Sequence, residues 1–343
     1  MELTGTILCG RSFDPIEGRI HIEDGDIVAI EERAVDADRL IAPAFVNAHT
    51  HIGDSIAKEA GEGLDLEALV APPDGLKHRL LRAADPEMIV KAMRQTLRFM
   101  QTGGTITTIE FREGGVTGVT QLEEAAAGLA IDPVVLGRES IAAMERADGF
   151  GASGANDADF TDARTATATA GKLFGIHAGE VDTSDVDAAL DLDPEFIVHG
   201  VHLADRHFER IATEEVPIVA CPRSNAATDV GLPPLERQVE TTAVALGTDN
   251  VMMNEPSMYR EMAFTADLFD ISTREVLAMA TYRGADLIGA DYGVIEPGRP
   301  AALQVLDLAS DNLAHVQDPV RGLVRRAGRS DLIRTIRPST TDN

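Results

Sequence analysis

The sequence predicts a parallel β/α barrel of eight strands, flanked by a small β-domain built from both chain ends. Three observations carry this reading. Between about residues 43 and 293, short apolar runs alternate with amphipathic helical stretches, the pattern of a parallel sheet covered by helices. Both ends instead show period-two alternation punctuated by Gly and Asp turns. The chain has 343 residues and is 44% hydrophobic, enough for a real core and too much for a disordered acidic chain.

At the N-terminus, residues 5–8, 19–22 and 26–30 read as strands, broken by Gly10, the Asp14-Pro15 turn, Gly18 and the Asp24-Gly25 turn. Residues 303–308 repeat that texture and precede further short apolar runs. Neither end can bury a face alone at that size, so the simplest packing joins them in one β-sandwich. The expected units are residues 1–42 plus 294–343 and residues 43–293. Within the second, the apolar runs are 44–48, 105–111, 133–137, 173–177, 196–199, 216–220 and 243–247. A further short run at 148–153 brings the strands to eight, which permits closure into a barrel. Residues 87–100, 121–130, 163–171 and 273–288 have helical periodicity.

The formal net charge is −27 and the sequence pI about 4.6. A phosphate backbone would be repelled by such a surface, which excludes a general nucleic-acid binder. Of the thirty basic residues only Lys58, Lys77, Lys91 and Lys172 are lysines. A carboxylate-dense, lysine-poor surface fits salt adaptation, where salt screens self-repulsion. No run approaches the ~20 apolar residues of a bilayer span, and the N-terminus lacks a basic leader region. The expectation is a soluble, cytoplasmic protein without membrane partners. Cys9 and Cys221 cannot make a disulfide framework or a thiolate metal knot.

Polar residues end most of the central apolar runs. The first stops at His49-Thr50-His51, the fifth at His177-Ala178-Gly179-Glu180, and the sixth carries His199 and His202. The last stops at Thr248-Asp249-Asn250. In a parallel barrel all strand C-termini surround one mouth, so these residues converge. Histidines at i and i+2 on a strand face the same side and can share an ion. A third imidazole and a carboxylate complete a nitrogen/oxygen shell suited to a catalytic divalent metal. Singly, each piece has an ordinary explanation. An isolated HxH pair can be surface or core, and an Asp after Gly-Thr can cap a helix. Five of the nine histidines at strand ends, beside one acid, carry weight together.

The segments APAFVNAHTH, HAGE (His177 to Glu180), IVHGVHLAD, ACPRSN and ALGTDN resemble the amidohydrolase superfamily. The likeness is to its branch of cytosine deaminase, adenosylhomocysteine and methylthioadenosine deaminases, and triazine chlorohydrolases. It covers essentially the whole chain, and it implies a distorted (β/α)8 TIM barrel with a small β-sandwich formed by both ends. Position by position, it implies that His49, His51, His177 and Asp249 bind one divalent metal, zinc or alternatively iron. Glu180 would transfer protons, His199 would polarise the attacking water or the leaving group, and Asp249 would take the water's proton. Binuclear relatives bridge their ions with a carboxylated lysine at a strand end. None of the four lysines ends a predicted central strand, so one metal is expected. The sequence departs from the family pattern in having Ala220 where many relatives have His, Ala302 within Ala301-Ala302-Leu303 where Asp is usual, and Asn250 where Gly is common.

Further polar residues follow other strands: Glu110, Arg112 and Glu113, then Arg138 and Glu139, then Arg223 and Asn225. With His202, the residues Arg112, Glu113, Arg138, Arg223 and Asn225 are the candidate substrate contacts. Three arginines at one opening can grip an anionic group bidentately, or each can pair with a neighbouring glutamate. The stretch after the first central run, residues 53–85, is long enough to cover the mouth. The reaction expected is hydrolytic deamination of a small heterocycle with ammonia release. Hydrolysis of another C–N or C–Cl bond is the alternative, and a non-catalytic metal-stabilised binding protein the remote one. The partner is a small-molecule substrate, and a homo-oligomer is compatible with the sequence.

Overall fold

The computed structural model describes residues 1–35, 38–71 and 73–338. The chain divides into two compact units, residues 1–46, 100–106 and 257–343, and residues 47–99 and 107–256. No helix among the described residues is long and apolar enough to cross a membrane.

The N-terminal strands are β1 (Glu2–Cys9), β2 (Asp14–Glu23), β3 (Asp26–Glu32) and β4 (Arg39–Pro43). Next come β5 (Phe45–His51), β6 (Thr105–Arg112), β7 (Asp132–Gly137), β8 (Gly149–Ala152) and β9 (Leu173–Ala178). The series continues with β10 (Phe196–His199), β11 (Ile218–Ala220), β12 (Val244–Leu246) and β13 (Asp249–Asn250). It ends with β14 (Leu303–Asp307) and β15 (Leu332–Ile336).

In the first unit, strands from both ends form one six-stranded sheet in the order β15-β14-β4-β1-β2-β3. All its neighbours pair antiparallel except β1 with β4. Alternate residues point to one face, so Leu3 and Ile7, Ile20 and Ile22, Ile27, Ile41, Leu303 and Val305 meet in a single apolar cluster. Strand β4 has no period-two signal, because Leu40, Ile41, Ala42 and Pro43 are all buried. Residues 273–288, one periodic stretch in the sequence, form two helices, Thr273–Met279 and Tyr282–Leu287. The break comes at Thr281, whose hydroxyl donates back to the Leu277 carbonyl at 2.6 Å.

The second unit carries the barrel. Its sheet runs β12-β11-β10-β9-β8-β7-β6-β5-β13. Strands β12 and β13 are two halves of one crossing, interrupted at Gly247 and Thr248. The first half pairs in parallel with β11 and the second with β5. Across the gap, Gly247 N donates to Ala220 O at 2.9 Å and Thr248 N to His49 O at 3.1 Å. The eighth strand thereby closes the ring. Gly247 is required by packing, since a Cβ there would lie 2.6 Å from His49 Cβ. Asn47 clamps the same junction, donating to Thr248 Oγ1 at 2.7 Å and accepting from Thr248 N at 3.0 Å. Residues 148–153, the least distinct run, contain β8, which pairs with β7 and β9.

Candidate active site

The site is built at the C-terminal ends of the barrel strands. His49 and His51 alternate on β5 and so face the same way, His177 lies near the end of β9, His199 ends β10, and Asp249 opens β13. Phe111 on β6 forms their floor, with its ring centroid 4.6 Å from that of His49 and 5.0 Å from that of His177. Gly151 and Gly175 leave the space this ring occupies, because a Cβ at either would come within 2.8 Å of it. His199 and Asp249 hold left-handed backbone, with φ of 76° and 61°. Non-glycine residues adopt that region at a cost, and they concentrate at functional sites.

All the histidines predicted for the mouth except His202 meet there. The ring centroids of His49 and His51 are 4.9 Å apart, those of His49 and His177 5.0 Å, and those of His177 and His199 5.4 Å. Asp249 Oδ1 lies 3.3 Å from His49 Nε2 and 3.5 Å from His51 Nε2. Three overlapping sets each bring their donor atoms within 4.8 Å of one another: His49/His51/Asp249, His49/His177/His199 and Glu180/His199/Asp249.

Hydrogen bonds orient these rings. His51 Nδ1 donates to Glu113 Oε1 at 2.8 Å, and His177 Nδ1 to the Ala152 carbonyl at 2.8 Å. Each imidazole is left with its Nε2 lone pair for another partner. Neither ring nitrogen of the fully buried His49 has a hydrogen-bond partner among the described residues. Asn225 Nδ2 donates to His199 Nδ1 at 3.1 Å, which places the His199 proton on Nε2, 3.5 Å from Glu180 Oε2. Asp249 accepts from Ser224 Oγ at 2.5 Å and Asn250 Nδ2 at 2.9 Å.

Burial holds His49 below the usual imidazole range and pushes His51, with the charge of Lys77, down to about 3. His177 is lowered by burial and by the neighbouring His49 and His199. These rings are neutral and therefore able to coordinate. Burial alone would raise Asp249, but the His49 ring 3.3 Å away, followed by His199 and His51, outweighs that and holds it well below the usual carboxylate range. Burial raises Glu180, against the pull of His199, so its carboxyl holds a proton more readily than an exposed one. Neutral imidazole nitrogens converging on an ionised carboxylate, one ring having no protein partner, fit a borderline-soft divalent cation.

Above this set lies a cavity of about 540 Å³ whose lining includes His51, His177, Glu180, His199 and Asp249. Leu66, Val70, Lys77, Arg138, Asp157 and Val230 complete much of its wall. Of the predicted rim arginines only Arg138 faces it. Arg112 is 2% exposed and donates to Gly118 O at 3.0 Å and Gln121 Oε1 at 3.3 Å. Its guanidinium occupies the space that a Cβ at Gly53 would fill. Arg223 donates to Glu255 O at 3.2 Å and Asn254 Oδ1 at 3.4 Å, and His202 Nε2 lies 2.9 Å from the Val230 carbonyl. Glu113 is buried and accepts from Arg138 at 3.2 Å. Two groups near the donors went unassigned in the sequence, Lys77 and Ser224. Ser224 lies in the short helix Pro222–Ala227 within the ACPRSN segment and Lys77 in the helix Leu76–Ala83, and neither position pointed to the donors from sequence alone.

Comparison with known proteins agrees with this geometry. The profile of the amidohydrolase family matches residues 40–187 and 165–327. A "Putative aminohydrolase" of Methanothermobacter thermautotrophicus is 36% identical, with 96% of this chain and 95% of that protein aligned. A 5-methylthioadenosine/S-adenosylhomocysteine deaminase of Haloarcula marismortui is 25% identical over 92% of this chain and 85% of its own length. Among solved structures, an adenosine deaminase from Xanthomonas campestris with bound zinc superposes with a TM-score of 0.79 at 18% identity. The match covers 96% of this chain and 89% of that one and is a likeness of fold.

Proposed function

The chain belongs to the amidohydrolase family, and on that premise we propose that it is a metal-dependent aminohydrolase. It would attack a trigonal ring carbon of a small heterocycle with water and release ammonia. The observation that supports this reading is Glu180, a carboxyl raised by burial, 3.5 Å from His199, within donor distance of Asp249 and on a cavity wall shared with His51 and His177.

In this reading His49, His51, His177 and Asp249 hold one zinc ion. When bound there, a divalent cation would supply Lewis acidity, lowering the pKa of water toward neutrality. Asp249 accepts the proton of the attacking water. Glu180 delivers its proton to the ring nitrogen. The proton held by Asp249 passes to the amine, which leaves as ammonia as the C–N bond breaks, and the hydroxyl proton released as C=O forms returns to Glu180. His199, its Nδ1 fixed by Asn225, donates through Nε2 to the oxygen that develops charge. The apolar wall of Leu66, Val70 and Val230 excludes water around a flat ring. Of the rim residues, Arg138 contacts substrate, whereas Arg112 and Glu113 support it from behind. The catalytic region is residues 43–293.

The test is ammonia release by zinc-reconstituted protein across a nucleobase, nucleoside, pterin and triazine panel, with the metal measured by elemental analysis. One zinc per chain is expected. Glu180→Gln should keep its zinc and lose about 10²–10⁴ of its turnover. Full activity in that variant, or two tightly held metals per chain, would overturn the assignment.

A further inference from the structure

The helix Leu76–Ala83 buries one residue fully, and it is a lysine. Leu76, Leu80 and Leu81 on the same helix are only partly buried, while Lys77 is 2% exposed. This inverts the usual amphipathic order, since lysine is almost never buried without a partner. Lys77 Nζ lies 2.6 Å from Glu113 Oε1 and donates to Asn250 Oδ1 at 3.0 Å. Each of these partners touches a proposed metal ligand. The same Glu113 oxygen accepts from His51 Nδ1 at 2.8 Å, and Asn250 Nδ2 donates to Asp249 Oδ1 at 2.9 Å. One ammonium thus stands behind a histidine on β5 and an aspartate on β13.

Lys77 also belongs to the cavity wall. The helices Leu66–Val70 and Leu76–Ala83 pack through Leu69, Val70, Leu76 and Leu80 against Ala57 and Met252. That wall is therefore joined to the strand ends by apolar packing and, next to it, by Lys77. We propose that Lys77 is a positioning residue that locks the cavity wall to the metal donors, through Glu113 to His51 and through Asn250 to Asp249. The proposal rests on the metal site described above. Its physical basis is that groups bonded to a ligand fix the ligand's orientation and basicity, and their loss typically costs about 10–100-fold in metal affinity. Holding Glu113 fixes the proton on His51 Nδ1 and frees Nε2, while holding Asn250 fixes the rotamer of Asp249.

The probes are zinc alone, titrated against a chelator, and cobalt(II), whose visible absorption bands report coordination geometry. Lys77→Met should bind zinc about 10–100-fold more weakly and shift the cobalt bands, and Lys77→Arg should restore much of both. Lys91→Met, on the exposed face of the helix Pro86–Thr102, should change neither. A folded Lys77→Met protein with wild-type zinc affinity and cobalt spectrum overturns the proposal. Should Lys77→Met not fold, Asn250→Gly, which cuts only the Asp249 limb, decides. Weaker zinc binding with altered cobalt bands supports the link, and unchanged values overturn it. A wild-type chain that takes up no zinc is a different result, and it sinks the metal site itself.

Discussion

On one side of the barrel mouth, Lys77, Arg138 and His51 all direct donors at Glu113, with Arg112 behind them 3.7 Å from its second oxygen. Beside them, its ring 4.9 Å from that of His51, stands His49, equally buried, with no hydrogen bond on either ring nitrogen among the described residues and Asp249 Oδ1 3.3 Å from its Nε2. The two regions share one environment and one set of strand ends, yet one is supplied with protein donors and the other is not. An unmet buried polar group costs about 1–3 kcal/mol. On the Glu113 side Arg112 Nη1 and Glu113 Oε2 also lack hydrogen bonds but face each other at 3.7 Å, whereas His49 has both ring nitrogens unbonded, which suits a partner from outside the chain. The paired side, by contrast, supplies its own partners and acts as a frame.

The largest expected effect breaks this contrast from the open side. Zinc at about a thousand times its Kd should stabilise the protein by about 4 kcal/mol, an effect that a chelator removes. His49→Leu should abolish the zinc-dependent rise in Tm. Because it also removes the ring that helps hold the buried Asp249 ionised, the metal-free variant should melt somewhat below metal-free wild type. Thermal melts with zinc and with chelator check both statements. A His49→Leu protein that still gains stability from zinc would show that the open ring is not where the cation sits.

The candidate metal donors were the part legible in the sequence. His49, His51, His177, His199 and Asp249 stop apolar runs, and barrel topology gathers strand ends whatever their separation in the chain. The paired side was read only in part. Arg112 and Glu113, neighbours in sequence, do approach at 3.7 Å, but Arg138 pairs with Glu113 and not with Glu139, a contact between the residues that follow β6 and β7 that adjacency in sequence does not show. Lys77 was invisible, because it lies in the stretch 53–85, read only as long enough to cover the mouth, and only the tertiary fold buries its ammonium. Asn250 stood out as a departure from the family pattern, but its partner lies far back in the chain. The helix Gly115–Ala126 begins earlier than its periodicity suggests, since Gly114, Gly115 and Gly118 read as a turn. Gly118 is small there because a Cβ would collide with the Glu113 carbonyl.

A smaller effect breaks the comparison from the paired side. Arg112→Met removes one of the cations around Glu113 and leaves the Gly118 carbonyl and Gln121 without their donor. Loss of one partner from a buried charge cluster typically costs about 3–5 kcal/mol. Glu113 keeps Lys77 and Arg138, so the lower end applies. Urea denaturation of the zinc-loaded protein should show this loss. KM should stay near wild type, because Arg112 does not reach the cavity wall. A raised KM with unchanged stability would instead make Arg112 a substrate contact.

The finest test separates the buried frame from the acidic exterior. Exposed pairs such as Arg206–Asp187 at 2.9 Å, whose side chains are 61% and 51% exposed, sit in a field of net charge −27. The range of that field changes from about 10 Å at 0.1 M salt to about 3 Å at 1 M. Wild-type Tm should therefore fall as salt is withdrawn, through unscreened repulsion between surface carboxylates. The Arg112–Glu113 contact is inside, where mobile ions do not enter. The stability difference between wild type and Arg112→Met should thus be the same at both salt concentrations while both proteins move together. A wild-type Tm indifferent to salt would remove the case for salt adaptation. A difference that shrinks as salt rises would mean that water and ions reach Glu113, and that its cluster is part of the cavity rather than the frame behind it.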